Sequence, residues 1–257
     1  MLPWSAELAG RFEQETFEST LLRDNPLGDP HERPVLVYLP PGYDESEQRY
    51  PAIYVAMGYT GHVGMWWNRT AFRQPYPELL DAMFAQGDVP PAIVVFFDAW
   101  TKYGGSQFLD SPGTGKYHSY LCDEIVPWVD ARYRTLADRD HRAITGKSSG
   151  GYAAMVTPLL RPDVFGALAT HAGDAAFEVS YQPEFPLRAR QLRDQYDGSY
   201  ETSSPTSRAA RDRAPGRISS SWRCTDTPRR TRPKRTAPSC SRTTNSAGSS
   251  PRCGSAG

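Results

Sequence analysis

Short apolar runs alternate with segments of helical period through the first two hundred residues. Residues 34–40 (Pro-Val-Leu-Val-Tyr-Leu-Pro) and 51–57 (Pro-Ala-Ile-Tyr-Val-Ala-Met) are β-rich, and the turn-forming stretch Pro41, Gly42, Tyr43, Asp44 separates them. Residues 92–99 are an almost unbroken apolar run, the pattern of a strand buried on both faces. Residues 143–146 and 166–172 are weaker strand candidates. Between the runs, helices are predicted over about 76–86, 116–133 and 150–160; in the second, Tyr120, Leu121, Ile125, Trp128 and Val129 recur at helical spacing. Strands alternating with helices of this length predict an α/β fold, a mostly parallel sheet covered on both faces. Residues 11–22 predict an antiparallel lead-in strand.

This pattern stops near residue 200. Residues 201–257 hold one member of the set Val, Ile, Leu, Met, Phe and Tyr, which is Ile218, and one tryptophan, Trp222. Such a segment buries too little apolar surface to offset the entropy of ordering it. The expected division is therefore a domain over 1–200 and a disordered, basic, Arg/Ser/Thr/Pro-rich tail over 201–257. Charge divides at the same place: the formal net charge of zero is the sum of −9 over 1–200 and +9 over 201–257. Ser, Thr, Pro, Arg, Ala and Gly make up 47 of the last 57 residues, the alphabet of GC-rich codons read out of frame. One choice of codons for Ser203, Ser204, Pro205, Thr206 and Ser207, read two bases later, spells Phe-Ala-Asp-Phe, a pattern that continues a helix. A frameshift near Thr202 that replaced the end of the domain is thus the favoured expectation. The competing one is a genuine tail for nucleic acid or acidic partners; its thinly spread charge and scarcity of aromatics make nucleic acid the poorer choice.

Other classes drop out. No stretch approaches the roughly 20 apolar residues of a membrane span, and residues 1–7 show neither the basic nor the apolar region of a secretory signal. Cys122 is the one cysteine of the first 200 residues; Cys224, Cys240 and Cys253 lie in the tail without a CxxC pair or a nearby histidine. A cytoplasmic protein without metal or cofactor is expected.

Residues 143–155 carry the strongest chemical signal. They read as a strand, then Gly146-Lys147-Ser148-Ser149-Gly150, then a helix of small residues. A nucleophile elbow needs this arrangement: the serine sits in a strained conformation at a tight turn, so glycine is required two positions before and after it. The helix that follows aims free N–H groups at the serine and favours an oxyanion there. Ser148 is the candidate nucleophile, and the Ser149 N–H is one half of a candidate oxyanion hole. The other half belongs to the loop after the strand at 51–57, where Gly58 and Gly61 bracket Tyr59 and let its N–H turn inward. Trp66, Trp67, Trp100 and Tyr103, in loops after two strands, are candidates for an acyl or aromatic pocket and equally for packing within a cap.

Taken together, these stretches make the chain resemble the esterase family of α/β-hydrolases that includes S-formylglutathione hydrolase (esterase D), feruloyl esterases, enterochelin esterases and mycolyltransferases. The resemblance covers about residues 10–200. It rests on residues 37–43, residues 50–54 leading into Gly58-Tyr59-Thr60-Gly61, residues 117–129 with Tyr133 and Arg134, and residues 146–151. It implies Ser148 as nucleophile, Tyr59 and Ser149 N–H groups as the oxyanion hole, and a small-molecule ester or thioester as substrate. Such hydrolases order their triad Ser, then Asp or Glu, then His. The only histidine after Ser148 is His171, with Asp174 close behind it, and the tail has none. Either His171 serves as a surrogate base from an unusual position, or the chain lacks the imidazole that makes a serine hydroxyl nucleophilic. In the second case it is a catalytically dead remnant, at most a binding module.

Overall fold

The computed structural model of the chain describes residues 6–87 and 89–199. Six strands form one sheet: β1 (Arg11–Glu18), β2 (Glu32–Leu39), β3 (Ala52–Ala56), β4 (Ile93–Phe97), β5 (Arg142–Lys147) and β6 (Ala167–His171), in the spatial order β1-β2-β4-β3-β5-β6. The β1–β2 and β2–β4 pairs are antiparallel, and the β4–β3, β3–β5 and β5–β6 pairs are parallel. The lead-in strand is thus antiparallel, as its pattern predicts, but it ends at Glu18.

Alternation across the pleat explains the apolar run of β4. Ile93, Val95 and Phe97 join Val35, Val37, Tyr54 and Ile144 on one face, while Val94 and Phe96 join Leu36, Tyr38 and Val55 on the other. Helix α1 (Tyr76–Ala85) covers the second face with Leu80 and Phe84. The first is covered by α2, which runs as Tyr117–Ser119, a π-helical stretch Tyr120–Ile125, and Val126–Arg132. Pro127 accounts for the π stretch: it has no N–H to return to the carbonyl of Asp123, and the helix widens just before it. Helix α3 (Ser149–Leu160) adds Ala153 and Ala154 to the first face.

The 117–129 motif also anchors the chain after β1. Glu124 Oε1 accepts the backbone N–H groups of Thr20 and Leu21 at 2.8 and 3.1 Å. Features that escaped the sequence pattern include a 3-10 turn at Val63–Trp67, a two-residue ribbon pairing Trp100–Thr101 with Gly104–Gly105, a second ribbon pairing Asp110–Ser111 with Gly115–Lys116, and helix α4 (Glu184–Tyr196). Helix α4 is mainly polar, so apolar periodicity could not report it. Cover on both faces fails at β6, where all five residues are exposed. No helix among the described residues is long and apolar enough to cross a membrane. The expected tail, 201–257, lies outside the described residues.

Candidate active site

Strand β5 runs into α3 through one residue. Ser148 has φ 58° and ψ −123°, a conformation that costs a non-glycine residue roughly 1–3 kcal/mol. The turn closes only because its neighbours lack side chains. A Cβ on Gly150 would overlap the Ala56 carbonyl and stand 2.7 Å from that of Met57, and one on Gly146 would overlap the Gly150 backbone. Both elbow glycines are therefore steric requirements of β3 passing beside the turn.

The end of β3 brings in the second component. Gly61 N–H donates to the Gly58 carbonyl at 2.9 Å and closes a turn with Tyr59 and Thr60 at its centre. A Cβ on Gly58 would come within 3.4 Å of the Lys147 carbonyl and 3.7 Å of Ser148 Cβ, so this turn lies against the elbow. The Gly104–Gly105 ribbon holds Tyr59 in place; a Cβ on Gly104 would press to 2.8 Å on its ring. Burial raises the Tyr59 hydroxyl pKa, so the phenol stays neutral. Among the described residues no acceptor takes the N–H of Tyr59 or of Ser149. Ser149, wholly buried, opens α3 at its positive end.

Three hydrogen bonds join Ser148 to the end of β6 and the segment that follows it. Its N–H donates to the His171 carbonyl at 3.0 Å, its carbonyl accepts the Asp174 N–H at 3.2 Å, and its Oγ donates to Asp174 Oδ1 at 3.4 Å. Asp174 Oδ2 in turn accepts from the Tyr181 hydroxyl at 2.9 Å. His171 therefore meets the serine through its backbone; its ring makes no hydrogen bond to Ser148 Oγ. The other histidines are placed elsewhere. His31 faces Glu18, His141 bonds Asp138, His62 packs edge-on to Trp100, and His118 is buried near Asp110 with its Nδ1 unpartnered. Of the tryptophans, Trp66 lies against Tyr76 and Phe96, while Trp67 and Trp100 line a cavity whose walls do not include Ser148. The Tyr181 contact and the Gly104–Gly105 clamp had no sequence signal, since both depend on segments meeting in space. No group of three or more His, Cys, Asp or Glu among the described residues is placed to hold a metal ion.

A mostly parallel sheet flanked by helices, with a strained serine between a strand and a helix, defines an α/β-hydrolase fold. The chain belongs to the esterase family: the family model described as "Putative esterase" matches residues 30–224. An endo-1,4-beta-xylanase/feruloyl esterase of Xylanibacter ruminicola is 29% identical over 157 residues, 58% of this chain and 20% of that protein. An iron(III) enterobactin esterase of Dickeya dadantii is 31% identical over 94 residues, 37% of this chain and 21% of that one. Among solved structures, a ferulic acid esterase superposes with a TM-score of 0.54 at 26% identity, covering 65% of this chain and 61% of its own. A feruloyl esterase module from Clostridium thermocellum gives 0.52 at 20% identity, covering 76% and 64%. The chain thus spans about a fifth of those two curated relatives.

Proposed function

We propose that the chain carries the nucleophile half of a serine esterase that cleaves carboxylic ester or thioester bonds of small molecules through an acyl-enzyme on Ser148. In this reading Ser148 Oγ attacks the carbonyl carbon, and the N–H groups of Tyr59 and Ser149 receive the oxyanion. The C–O or C–S bond then breaks, the leaving group takes a proton, and water releases the acyl group. The strained backbone of Ser148 carries this reading, because such strain persists where surrounding structure enforces it. The names of the relatives, each an ester hydrolase, support it. Nucleic acid is no part of it.

Proton transfer is the missing element. Asp174 is the one ionisable side chain hydrogen-bonded to Ser148 Oγ among the described residues, and a carboxylate is a much weaker base than imidazole at neutral pH. We read this chain as lacking the triad acid and histidine, lost with the reading frame near Thr202. The bare strand β6 supports that reading, since a parallel strand ordinarily lies covered. The second reading, a catalytically dead remnant, is favoured by Asp174 standing where the base would act.

A fluorophosphonate probe separates the two. Labelling of the 257-residue chain that disappears in Ser148→Ala supports an activated serine. Absence of labelling under conditions that label a related esterase supports the dead remnant.

A further inference from the structure

A cavity of about 510 Å³ opens between β1, β2 and the loops after β3 and β4. That is within the range of small-molecule sites. Ser148, Tyr59 and Asp174 do not line it, so it is separate from the proposed esterase centre. Two indoles wall it, Trp67 at 39% and Trp100 at 38% exposure. Both rings are held: Trp67 packs edge-on against Phe12 at 4.8 Å, and Trp100 against His62 at 6.1 Å. Leu36 and Val63 add buried apolar surface.

The polar groups at the cavity are few and have capacity to spare. Asp98 Oδ2 accepts from the Arg33 guanidinium at 3.0 Å and from the Trp100 backbone N–H at 3.3 Å, while Oδ1 accepts no hydrogen bond among the described residues. Gln14 and the His62 ring also line the cavity, and neither side chain makes a hydrogen bond there. An acceptor, an amide and an imidazole beside two aromatic faces suit a ring that is apolar on its flat sides and carries hydroxyls at its rim. Charge narrows the choice. Arg33, 4% exposed, gives both terminal nitrogens to Asp98, the Trp100 carbonyl and the Tyr117 hydroxyl, its Nε is buried without a partner, and no lysine or arginine lines the cavity to meet an anion. The same pairing compensates the Asp98 charge, which leaves little to draw a cation.

We propose that this cavity binds a neutral carbohydrate of one or two sugar units, stacked on Trp67 and Trp100 and hydrogen-bonded through Asp98, Gln14 and His62. The test is saturation-transfer NMR on the full 257-residue chain with cellobiose, xylobiose, maltose and trehalose, and with glucuronate and inorganic phosphate as charged probes. At least one neutral disaccharide should bind saturably, with Kd on the order of 1 mM. Trp100→Ala should weaken it about tenfold or more, as loss of a stacking aromatic does. Gln14→Ala, on an exposed side chain whose loss leaves the core intact, should weaken it a few-fold. Ser148→Ala should leave binding unchanged, whichever account of the serine holds. The proposal is overturned if none of the four disaccharides saturates, if glucuronate or phosphate binds as tightly, if the Trp100 and Gln14 variants bind like the parent, or if binding is lost in Ser148→Ala.

Discussion

The two edges of the sheet are built on opposite principles. β1 presents Arg11, Glu13, Glu15 and Glu18 along one edge, and Arg132 and Tyr133 of the neighbouring helical segment reach over to Glu15 and Glu13 at 2.6 and 2.9 Å. Charge and cover of this kind keep an edge from pairing with another chain. β6 reads Ala-Leu-Ala-Thr-His, without Lys, Glu or Pro, and all five residues are exposed. In the segments just before and after it in the chain, Leu159, Leu160, Phe177 and Val179 are exposed at 77, 55, 37 and 78%. β1 has the composition of an edge, whereas β6 has that of an interior parallel strand left at one. Among the described residues the β1 edge is finished by charge and cover, and the β6 edge has no further strand beside it.

The sharpest way to break this comparison is to supply the neighbour. Shifting the frame near codon 202 should yield a longer chain with further strands and an acid and a histidine after them. It should hydrolyse a short-chain p-nitrophenyl ester roughly 10³-fold or more faster than the 257-residue form, the scale of losing a triad member. Equal activity of the 257-residue chain, dependent on Ser148 and His171, would show that the cleft had found another base.

Truncations in the middle of the sheet and at its β6 edge should differ next most. Phe97→Ala, on a wholly buried residue, should cost about 3–5 kcal/mol in urea unfolding, and Leu168→Ala on β6 under about 1 kcal/mol. Comparable losses would mean that β6 is covered in solution.

Glycine substitutions probe the elbow itself. Gly150→Ala should destabilise by about 1–3 kcal/mol or more through overlap with β3, whereas Gly113→Ala, with only Ser111 Oγ at 3.6 Å, should stay within about 0.5 kcal/mol.

The smallest effect concerns pH. Burial lowers the His118 pKa, so the unfolded chain binds this proton more readily than the folded one. Its contribution is full above the ordinary histidine pKa and is lost as pH falls through that value toward the lowered one. His118→Gln should flatten the fall of stability on acidification in that window. An unchanged slope in denaturant titrations would assign the fall to other groups.

Most of the frame was legible because apolar patterning reports burial. The run at 92–99 became the central strand, and Gly146, Ser148 and Gly150 lie in a strand–turn–helix, as the strand signal before them and the small-residue helix after them indicated. The sequence also determined that the last 57 residues carry almost no large apolar side chains. Local pattern could not show what meets what across long chain separations. The Asp174 carboxylate at Ser148, the carbonyl rather than the ring of His171 beside the elbow, and Trp67 and Trp100 in a cavity apart from the serine were decided only by the tertiary structure. Each depends on which strands become neighbours, and that follows from the free energy of packing the whole sheet, not from any segment alone.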